Sequence, residues 1–159
     1  EESQQILSLQ PSLFDRLDIA GIRQLSVLFY DRVFADGAAA PWFVNIFASS
    51  TKEGAIENQY KFLVQTFGGP DLYRQVKGPY TRLVGRHAAY PIHNDAAARW
   101  VHHMISAMQE HEVLNKDEEA MGALAKYFRF TAYYIVVASE YMRPDQLSGG
   151  SAVDPDKIW

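Results

Sequence analysis

The chain has 159 residues, 48% of them hydrophobic and 21% charged, so it can fold as one domain around a sizeable core. It contains no cysteine, which excludes disulfides, thiolate metal sites, iron–sulfur clusters and cysteine nucleophiles and makes the cytoplasm the default compartment. The net charge of −4 offers no basic surface for nucleic acid or an anionic membrane, and no apolar run approaches the roughly 20 residues that a membrane span needs.

Capping residues and apolar positions at a 3.6-residue period predict helices along the chain and no strand, so the fold class is all-α. The polar start, residues 1–5, is compatible both with a trimmed terminus and with a removed targeting peptide. Ser12 begins a short helix, and a second helix covers about residues 21–36, with Tyr30 at the edge of its buried stripe. A compact aromatic turn follows over residues 42–47.

The third predicted helix begins with a capping box, because Ser50 and Glu53 have the S-x-x-E spacing. It extends to Phe67, where two glycines and a proline end it. One face of this helix carries a small residue, two amides and a ring, which are Ala55, Asn58, Gln59 and Phe62.

The second half of the chain begins with a broken stretch, residues 70–91, in which glycines and prolines allow only short helical turns. Two long helices are predicted after it, over about residues 94–111 and 115–142. Residues 1–142 then form one domain, and residues 143–159 are expected to be a flexible tail.

Two neighbouring histidines of the predicted helix 94–111, His102 and His103, are assigned to the surface. Adjacent helix positions point about 100° apart, so the pair does not make a metal motif. Acidic residues at positions 117–119 lie at a helix start, where they complement the helix dipole. No nucleotide-binding, zinc-protease or serine-hydrolase motif occurs, which removes the support for those classes.

His87 lies in a short turn bounded by prolines, a segment that can present a neutral imidazole to a haem iron. Tyr30, Gln59 and Trp100 carry hydrogen-bond donors on three predicted helices, and a gas bound at ferrous iron would accept such bonds. The aromatic share of 13% also favours a flat group packed among rings. When each residue is considered alone, a simpler interpretation is available. His87 would be an exposed loop histidine, and the donors of Tyr30, Gln59 and Trp100 would bond to backbone carbonyls in the core.

Six short motifs occur in order between about Phe14 and Ala138: Phe29-Tyr30, Ala55-Ile-Glu-Asn-Gln59-Tyr60, Phe67-Gly-Gly-Pro70, Leu72-Tyr73, Arg86-His87 and Ala96 to Trp100. In this order and spacing, the sequence resembles the truncated, two-over-two haemoglobins of group II, in particular their plant and algal class 3 branch. The resemblance implies a two-over-two helical sandwich around haem b, which is iron protoporphyrin IX, with the globin domain over residues 1–142.

On one side of the haem, the resemblance makes His87 the iron ligand and Arg86 the partner of a haem propionate. Phe47 matches the ring that wedges against the haem at the end of the short aromatic turn. Helical spacing adds an apolar wall that consists of Phe62, Leu83 and Met104.

On the opposite, distal side, the resemblance assigns Tyr30 and Trp100 as hydrogen-bond donors to the bound ligand. Gln59 stands at a distal position where the plant branch also has glutamine. Ala55 stands where larger haemoglobins place a distal histidine, so the sixth iron position is expected to stay open to ligands.

The function implied is reversible binding of dioxygen, and of NO and CO, at a five-coordinate ferrous haem, with oxygen transport as the role. A nitric oxide dioxygenase or a peroxidase-like enzyme that uses the same haem is the alternative. A haem-free helical interaction module, with the rings as core and partner surface, is a third hypothesis. The sequence does not indicate which reductase would serve the haem, and it is compatible with a homodimer.

Overall fold

The computed structural model of the chain describes residues 2–47, 51–73 and 93–146. All regular elements in these ranges are helical, which confirms the all-α prediction. The α-helices of the described part of the chain are numbered here in order: α1 (Glu2–Ser8), α2 (Leu13–Ala35), α3 (Pro41–Val44), α4 (Lys52–Thr66), α5 (Asn94–Glu110) and α6 (Glu118–Gln146). Two short 3-10 turns, Asn45–Phe47 and Leu114–Lys116, follow α3 and α5.

The long helices pack as two pairs around a shared core. Helix α4 lies against α2, α5 lies against α6, and contacts between α2 and α5 join the two pairs. Apolar side chains from all four helices meet in one buried cluster, which includes Leu25, Phe29, Leu63, Met104, Leu124 and Phe128. None of the described helices is both long and apolar enough to cross a membrane.

Helix α2 joins the first two predicted helices through a kink. The Ser12 hydroxyl accepts a hydrogen bond from the Asp15 backbone N–H at 3.0 Å, as expected for the cap of the first part. Asp18 then adopts a φ of 54° and a ψ of −177°, a sparsely populated non-helical conformation, and this ends the first part. The Asp18 carboxylate accepts a bond from the Gly21 N–H at 2.9 Å and so starts the second part.

The cap of helix α4 differs from the prediction. The capping box predicted Ser50, whereas Thr51 caps the helix. Thr51 is extended, and its hydroxyl accepts a hydrogen bond from the Gly54 N–H at 3.0 Å. Both residue types can cap a helix, and the backbone conformation decides between them. The helix ends at Thr66, one residue before the predicted end.

The last helix, α6, is shifted toward the C-terminus relative to its prediction. It begins at Glu118, because the Asp117 carboxylate accepts a bond from the Ala120 N–H at 3.0 Å and caps it. It continues to Gln146, one turn beyond the predicted end at about residue 142. The part of the predicted tail after Gln146 lies outside the described residues.

Acidic residues at the start of α6 do more than complement the helix dipole. The Arg16 guanidinium on α2 lies 3.2 Å from the Asp117 carboxylate and 2.6 Å from that of Glu119. It also donates to the Pro11 carbonyl at 2.8 Å. The contacts with Glu119 and Asp117 raise the pKa of Arg16, chiefly through the hydrogen bond to Glu119. They also join the start of α2 to the start of α6.

Helix α1 was not predicted, because residues 1–5 are polar. One apolar side chain, Ile6, is almost fully buried where α1 packs against α6. The packing of α1 against α6 stabilises this short helix. No local sequence pattern predicts that tertiary contact.

Candidate functional site

A tyrosine of α2 places a polar group in the middle of an aromatic cluster. Tyr30 is fully buried, and its ring packs edge-on against Phe29 at 4.9 Å and against Phe47 at 6.1 Å. Its hydroxyl has no hydrogen-bond partner in the described part of the chain. Burial raises the pKa of Tyr30, so the group stays a neutral O–H donor.

The face of α4 that the sequence singled out is buried at three of its four positions. Ala55, Gln59 and Phe62 are buried, and Asn58 is half-buried. Neither amide atom of Gln59 has a hydrogen-bond partner among the described residues. A buried polar group without a hydrogen-bond partner lowers the stability of the fold by roughly 1–3 kcal/mol. The Gln59 amide therefore needs a partner that the described residues do not supply.

Helix α5 brings an indole to the same aromatic cluster. The Trp100 ring centre lies 5.0 Å from that of Phe29 and 5.5 Å from that of Phe128, and the Phe29 ring also packs against Tyr30. One turn later on α5, Met104 is fully buried. Helices α2 and α5 therefore bring Tyr30 and Trp100 into contact with the same phenylalanine.

The short 3-10 turn after α3 positions another predicted site residue, Phe47. Its buried ring packs against Phe43 at 5.3 Å, in addition to its contact with Tyr30. The remaining predicted site residues, which are Leu83, Arg86 and His87, lie outside the described residues.

A buried ion-pair cluster beside this region was missed by sequence reasoning. The Asp36 carboxylate at the end of α2 accepts from Arg99 Nε at 2.7 Å and from His103 Nε2 at 2.7 Å. His103 is buried and stacks on Phe43 with ring centres 5.6 Å apart, so its assignment to the surface is wrong. Its neighbour His102 is exposed, as predicted.

The charges in this cluster depend on one another. Hydrogen bonds from Arg99 and His103 hold the pKa of Asp36 far below its ordinary value. Burial lowers the pKa of His103, and the nearby carboxylate opposes this only in part. The spacing of four residues between Arg99 and His103 puts both on one face of α5, a signal that could have paired them in the sequence.

A second buried histidine among the described residues, His111, has a structural role. Its Nδ1 accepts from the backbone N–H groups of Val113 and Leu114 at 3.1 and 3.3 Å. Its Nε2–H therefore donates to the Gly21 carbonyl, which lies 2.7 Å away. His111 thus joins the end of α5 to the kink region of α2.

Comparison with known proteins identifies the family. Residues 12–134 match the family model for bacterial-like globins. The chain is 41% identical over 131 residues to two-on-two hemoglobin-3 of Arabidopsis thaliana, which covers 82% of this chain and 72% of that protein. It is 43% identical over 129 residues to group 2 truncated hemoglobin 3-1 of Lotus japonicus, which covers 81% and 74%. The chain belongs to the group II truncated haemoglobins.

Solved structures of other haemoglobins have the same fold. The hemoglobin of the thermophilic phototrophic bacterium Chloroflexus aurantiacus matches with a TM-score of 0.66 and 32% identity. The truncated oxygen-avid haemoglobin of Bacillus subtilis matches with a TM-score of 0.66 and 30% identity. Each match covers 79% of this chain and 98% of the other chain. The truncated globin fold is thereby confirmed.

Globins hold a haem and bind diatomic gases through it, so a haem is the cofactor of this truncated haemoglobin and such gases are its ligands. The described residues fit that group. Tyr30 and Gln59 keep buried hydrogen-bonding atoms without a described partner, next to rings such as Phe47 and Phe62. A gas bound between α2 and α4 would be a partner for these atoms.

Proposed function

We propose that this truncated haemoglobin reversibly binds dioxygen, and also NO and CO, at a haem b whose iron is held by His87. Bound there, the haem supplies a ferrous iron with one position open to a diatomic gas. The observation that carries the proposal is a pair of buried polar groups, the Tyr30 hydroxyl and the Gln59 amide, that have no hydrogen-bond partner among the described residues. In a protein core that holds no ligand, buried polar groups of this kind would be hydrogen-bonded to other protein atoms.

In this proposal, residues from several segments between positions 47 and 104 hold the haem. His87 binds the iron, and Arg86 pairs with a propionate, as the family resemblance implies. Phe47 packs against the flat ring from the aromatic turn. The apolar wall is completed by Phe62, Leu83 and Met104.

The distal residues then stabilise the bound gas. Tyr30 donates from its hydroxyl, which burial keeps neutral, and Gln59 donates from its amide nitrogen. We assign Trp100 to the same side, because the rings of Trp100 and Tyr30 both pack against Phe29. The small side chain of Ala55 leaves room for the ligand to enter. Each hydrogen bond to a partly charged ligand contributes roughly 1 to 2 kcal/mol.

Binding is favoured over the peroxidase alternative by the charge state of the distal groups. A peroxidase needs a group that takes up and returns a proton near neutral pH. Of the distal residues that we assign here, Tyr30 has a raised pKa, and Gln59 and Ala55 do not titrate. For this reason we also propose gas binding and oxygen transport, and not turnover of peroxide, as the role, with nitric oxide dioxygenation at the same haem as the alternative.

The compartment that we propose is the cytoplasm. The chain has no cysteine and therefore no disulfide, the usual feature of proteins folded in oxidising compartments. Fractionation of the source cells, followed by detection of the chain, tests this; recovery with secreted proteins would contradict it.

The test of the proposed site is an absorption spectrum of the purified protein, ferrous and ferric, with and without CO. We expect a Soret band that CO shifts in the ferrous form. Substitution His87→Gly should remove the haem or change the band, whereas His93→Gly, a control at another histidine that is exposed, should not. No Soret band in the wild type, or an unchanged band in His87→Gly, would overturn the proposal.

A further inference from the structure

His103 of α5 is buried against two other elements of the fold. Its Nε2 lies 2.7 Å from the Asp36 carboxylate at the end of α2. Its ring stacks on Phe43 of α3 with an interplanar angle of 28°, and only 7% of its side chain is exposed. A change at this ring therefore acts on α2, α3 and α5 together.

The second ring nitrogen of His103 lacks a partner in the described part of the chain. Asp36 is ionised, because its pKa lies far below its ordinary value, so its carboxylate only accepts hydrogen bonds. The neutral His103 ring therefore carries its proton on Nε2. The other nitrogen, Nδ1, is buried and has no hydrogen-bond partner among the described residues. A second proton at Nδ1 would create a buried N–H group that these residues do not satisfy.

The surroundings of His103 disfavour that second proton. The charged and titratable groups that face the ring in the described ranges are Asp36 on α2 and Arg99 and His102 on α5, followed, one turn before Asp36, by the ion pair of Arg32 with Glu110. Helix α3 and the 3-10 turn after it contribute no titratable side chain. Burial outweighs the attraction of the Asp36 carboxylate and lowers the pKa of His103. A proton therefore binds the ring more tightly once the ring has left this site.

Packed rings connect His103 to the proposed gas site. Phe43, on which it stacks, packs edge-on against Phe47 with ring centres 5.3 Å apart. Phe47 in turn packs edge-on against Tyr30 at 6.1 Å, and all three of these rings are buried. Buried rings in close contact do not shift independently, so the position of Phe43 affects that of the Tyr30 hydroxyl.

Asp36 also anchors the backbone that leads to Phe43. Its carbonyl accepts a hydrogen bond from the Ala40 N–H at 2.8 Å, and the Ala40 carbonyl accepts one from the Phe43 N–H at 3.0 Å. The same residue thus holds the approach to α3 through its backbone and His103 through its carboxylate. The start of the aromatic turn and the histidine that stacks on it share one anchor.

We infer that His103 is a proton-sensitive positioning residue of the gas site, which acts on Tyr30 through Phe43 and Phe47. A proton at Nδ1 favours an arrangement in which the ring has left Phe43 and the aromatic turn, residues 42–47, packs less closely against Tyr30. The inference rests on the proposed function, because the Tyr30 hydroxyl carries the effect to the bound gas. Acidification through and below pH 6.5, the ordinary midpoint of histidine, should therefore speed oxygen release.

Stopped-flow measurement of oxygen release from the full chain purified with haem tests the inference. The rate of the wild type should rise about threefold between about pH 7.5 and about pH 5.5, which is at the lower end of the coupling that packed side chains transmit. His103→Gln keeps an N–H donor toward Asp36 and does not titrate, so its rate should be nearly constant. His102→Gln, the matched control at the exposed neighbouring histidine, should show the same rise as the wild type. A wild-type rate that is independent of pH, or a rise in His103→Gln equal to that of the wild type, would overturn the inference.

An NMR titration of the His103 ring in the same protein tests the path through Phe43. The midpoint of the ring titration should coincide with the midpoint of the change in oxygen release. Phe43→Leu removes the stacked ring, so His103 should still titrate while oxygen release depends less on pH. Different midpoints in the wild type, or the full pH dependence in Phe43→Leu, would contradict this path. A protein without a Soret band would overturn the proposed function, whereas an oxygen-binding protein with a flat pH profile would overturn this inference alone.

Discussion

His103 Nε2 lies 2.7 Å from Oδ2 of Asp36, a contact between α5 and the end of α2 that spans 67 residues of sequence. Arg99 holds the other carboxylate oxygen at 2.5 Å. His103 in turn stacks on Phe43, which packs against Phe47. The cluster therefore ties α2 and α5 together at the base of the aromatic turn that we assign to the haem site.

Removal of the Asp36 charge should destabilise the protein at neutral pH. We expect Asp36→Asn to lower the free energy of unfolding by about 2 kcal/mol at pH 7, less than for a fully buried ion pair because Arg99 is one-third exposed. Asp31→Asn, in a half-exposed pair with Lys52, should cost no more than about 0.5 kcal/mol. Urea denaturation measures both.

The same substitution has a pH dependence whose sign follows from the lowered pKa of Asp36. The carboxylate stabilises the fold above its ordinary pKa of 3.8, and this contribution is lost as the pH falls toward the lower pKa of the folded state. The difference in stability between wild type and Asp36→Asn should therefore shrink below about pH 4. A difference that stays constant from pH 7 to pH 3 would contradict the ion pair.

His103 should make stability fall on mild acidification. Its pKa in the fold lies below the ordinary 6.5, so the unfolded chain binds the proton more tightly. Stability should therefore decrease as the pH falls through and below 6.5. His103→Gln keeps an N–H donor toward Asp36 without titrating, so its stability should change less between pH 7.5 and about pH 5 than that of the wild type. Equal pH slopes for the two proteins would count against this prediction.

His111 should be needed for stability and not for ligand binding. His111→Ala removes one hydrogen bond to the Gly21 carbonyl and leaves two backbone N–H groups without their acceptor. We expect a loss of about 2–4 kcal/mol in urea denaturation. His102→Ala, at an exposed position of the same helix, should change stability by less than about 0.5 kcal/mol. Similar losses in both variants would show that the His111 bonds do not matter.

Tyr30→Phe should weaken the oxygen complex without destabilising the haem-free protein. Loss of the hydroxyl should speed oxygen dissociation by about tenfold, which corresponds to one hydrogen bond of about 1.4 kcal/mol. The haem-free protein should be as stable as the wild type or more stable, because its hydroxyl has no described protein partner. Tyr133→Phe, at an exposed tyrosine, is the control for both stopped-flow and denaturation measurements. An unchanged off-rate in Tyr30→Phe would remove the tyrosine from the ligand site.

Local signals were enough to place the long helices. The Ser12 cap and the buried face of α4 around Gln59 were predicted from spacing alone, because caps and helical periodicity are properties of neighbouring residues. The inward positions of α5, such as Met104, followed from the same periodicity. The family resemblance depended on these local motifs, and the comparisons confirm it.

Long-range contacts account for what the sequence did not predict. Ile6 is buried because α6 passes beside a polar segment. The buried His103 ring has a hydrogen-bond acceptor in the Asp36 carboxylate, which lies 67 residues earlier in the chain. The choice of Thr51 over Ser50 as a cap depends on backbone conformation, which two adjacent hydroxyl residues do not reveal. The role of His87 stays a prediction.

Reversible dioxygen binding is tested most directly by one optical titration. The anaerobic ferrous protein is exposed to increasing oxygen pressure and then flushed with argon while its absorption spectrum is recorded. We expect the Soret and visible bands to shift with saturation and to return to the ferrous spectrum on flushing. Bands that do not respond to oxygen, or that convert at once to the ferric spectrum without return, would contradict the proposed function.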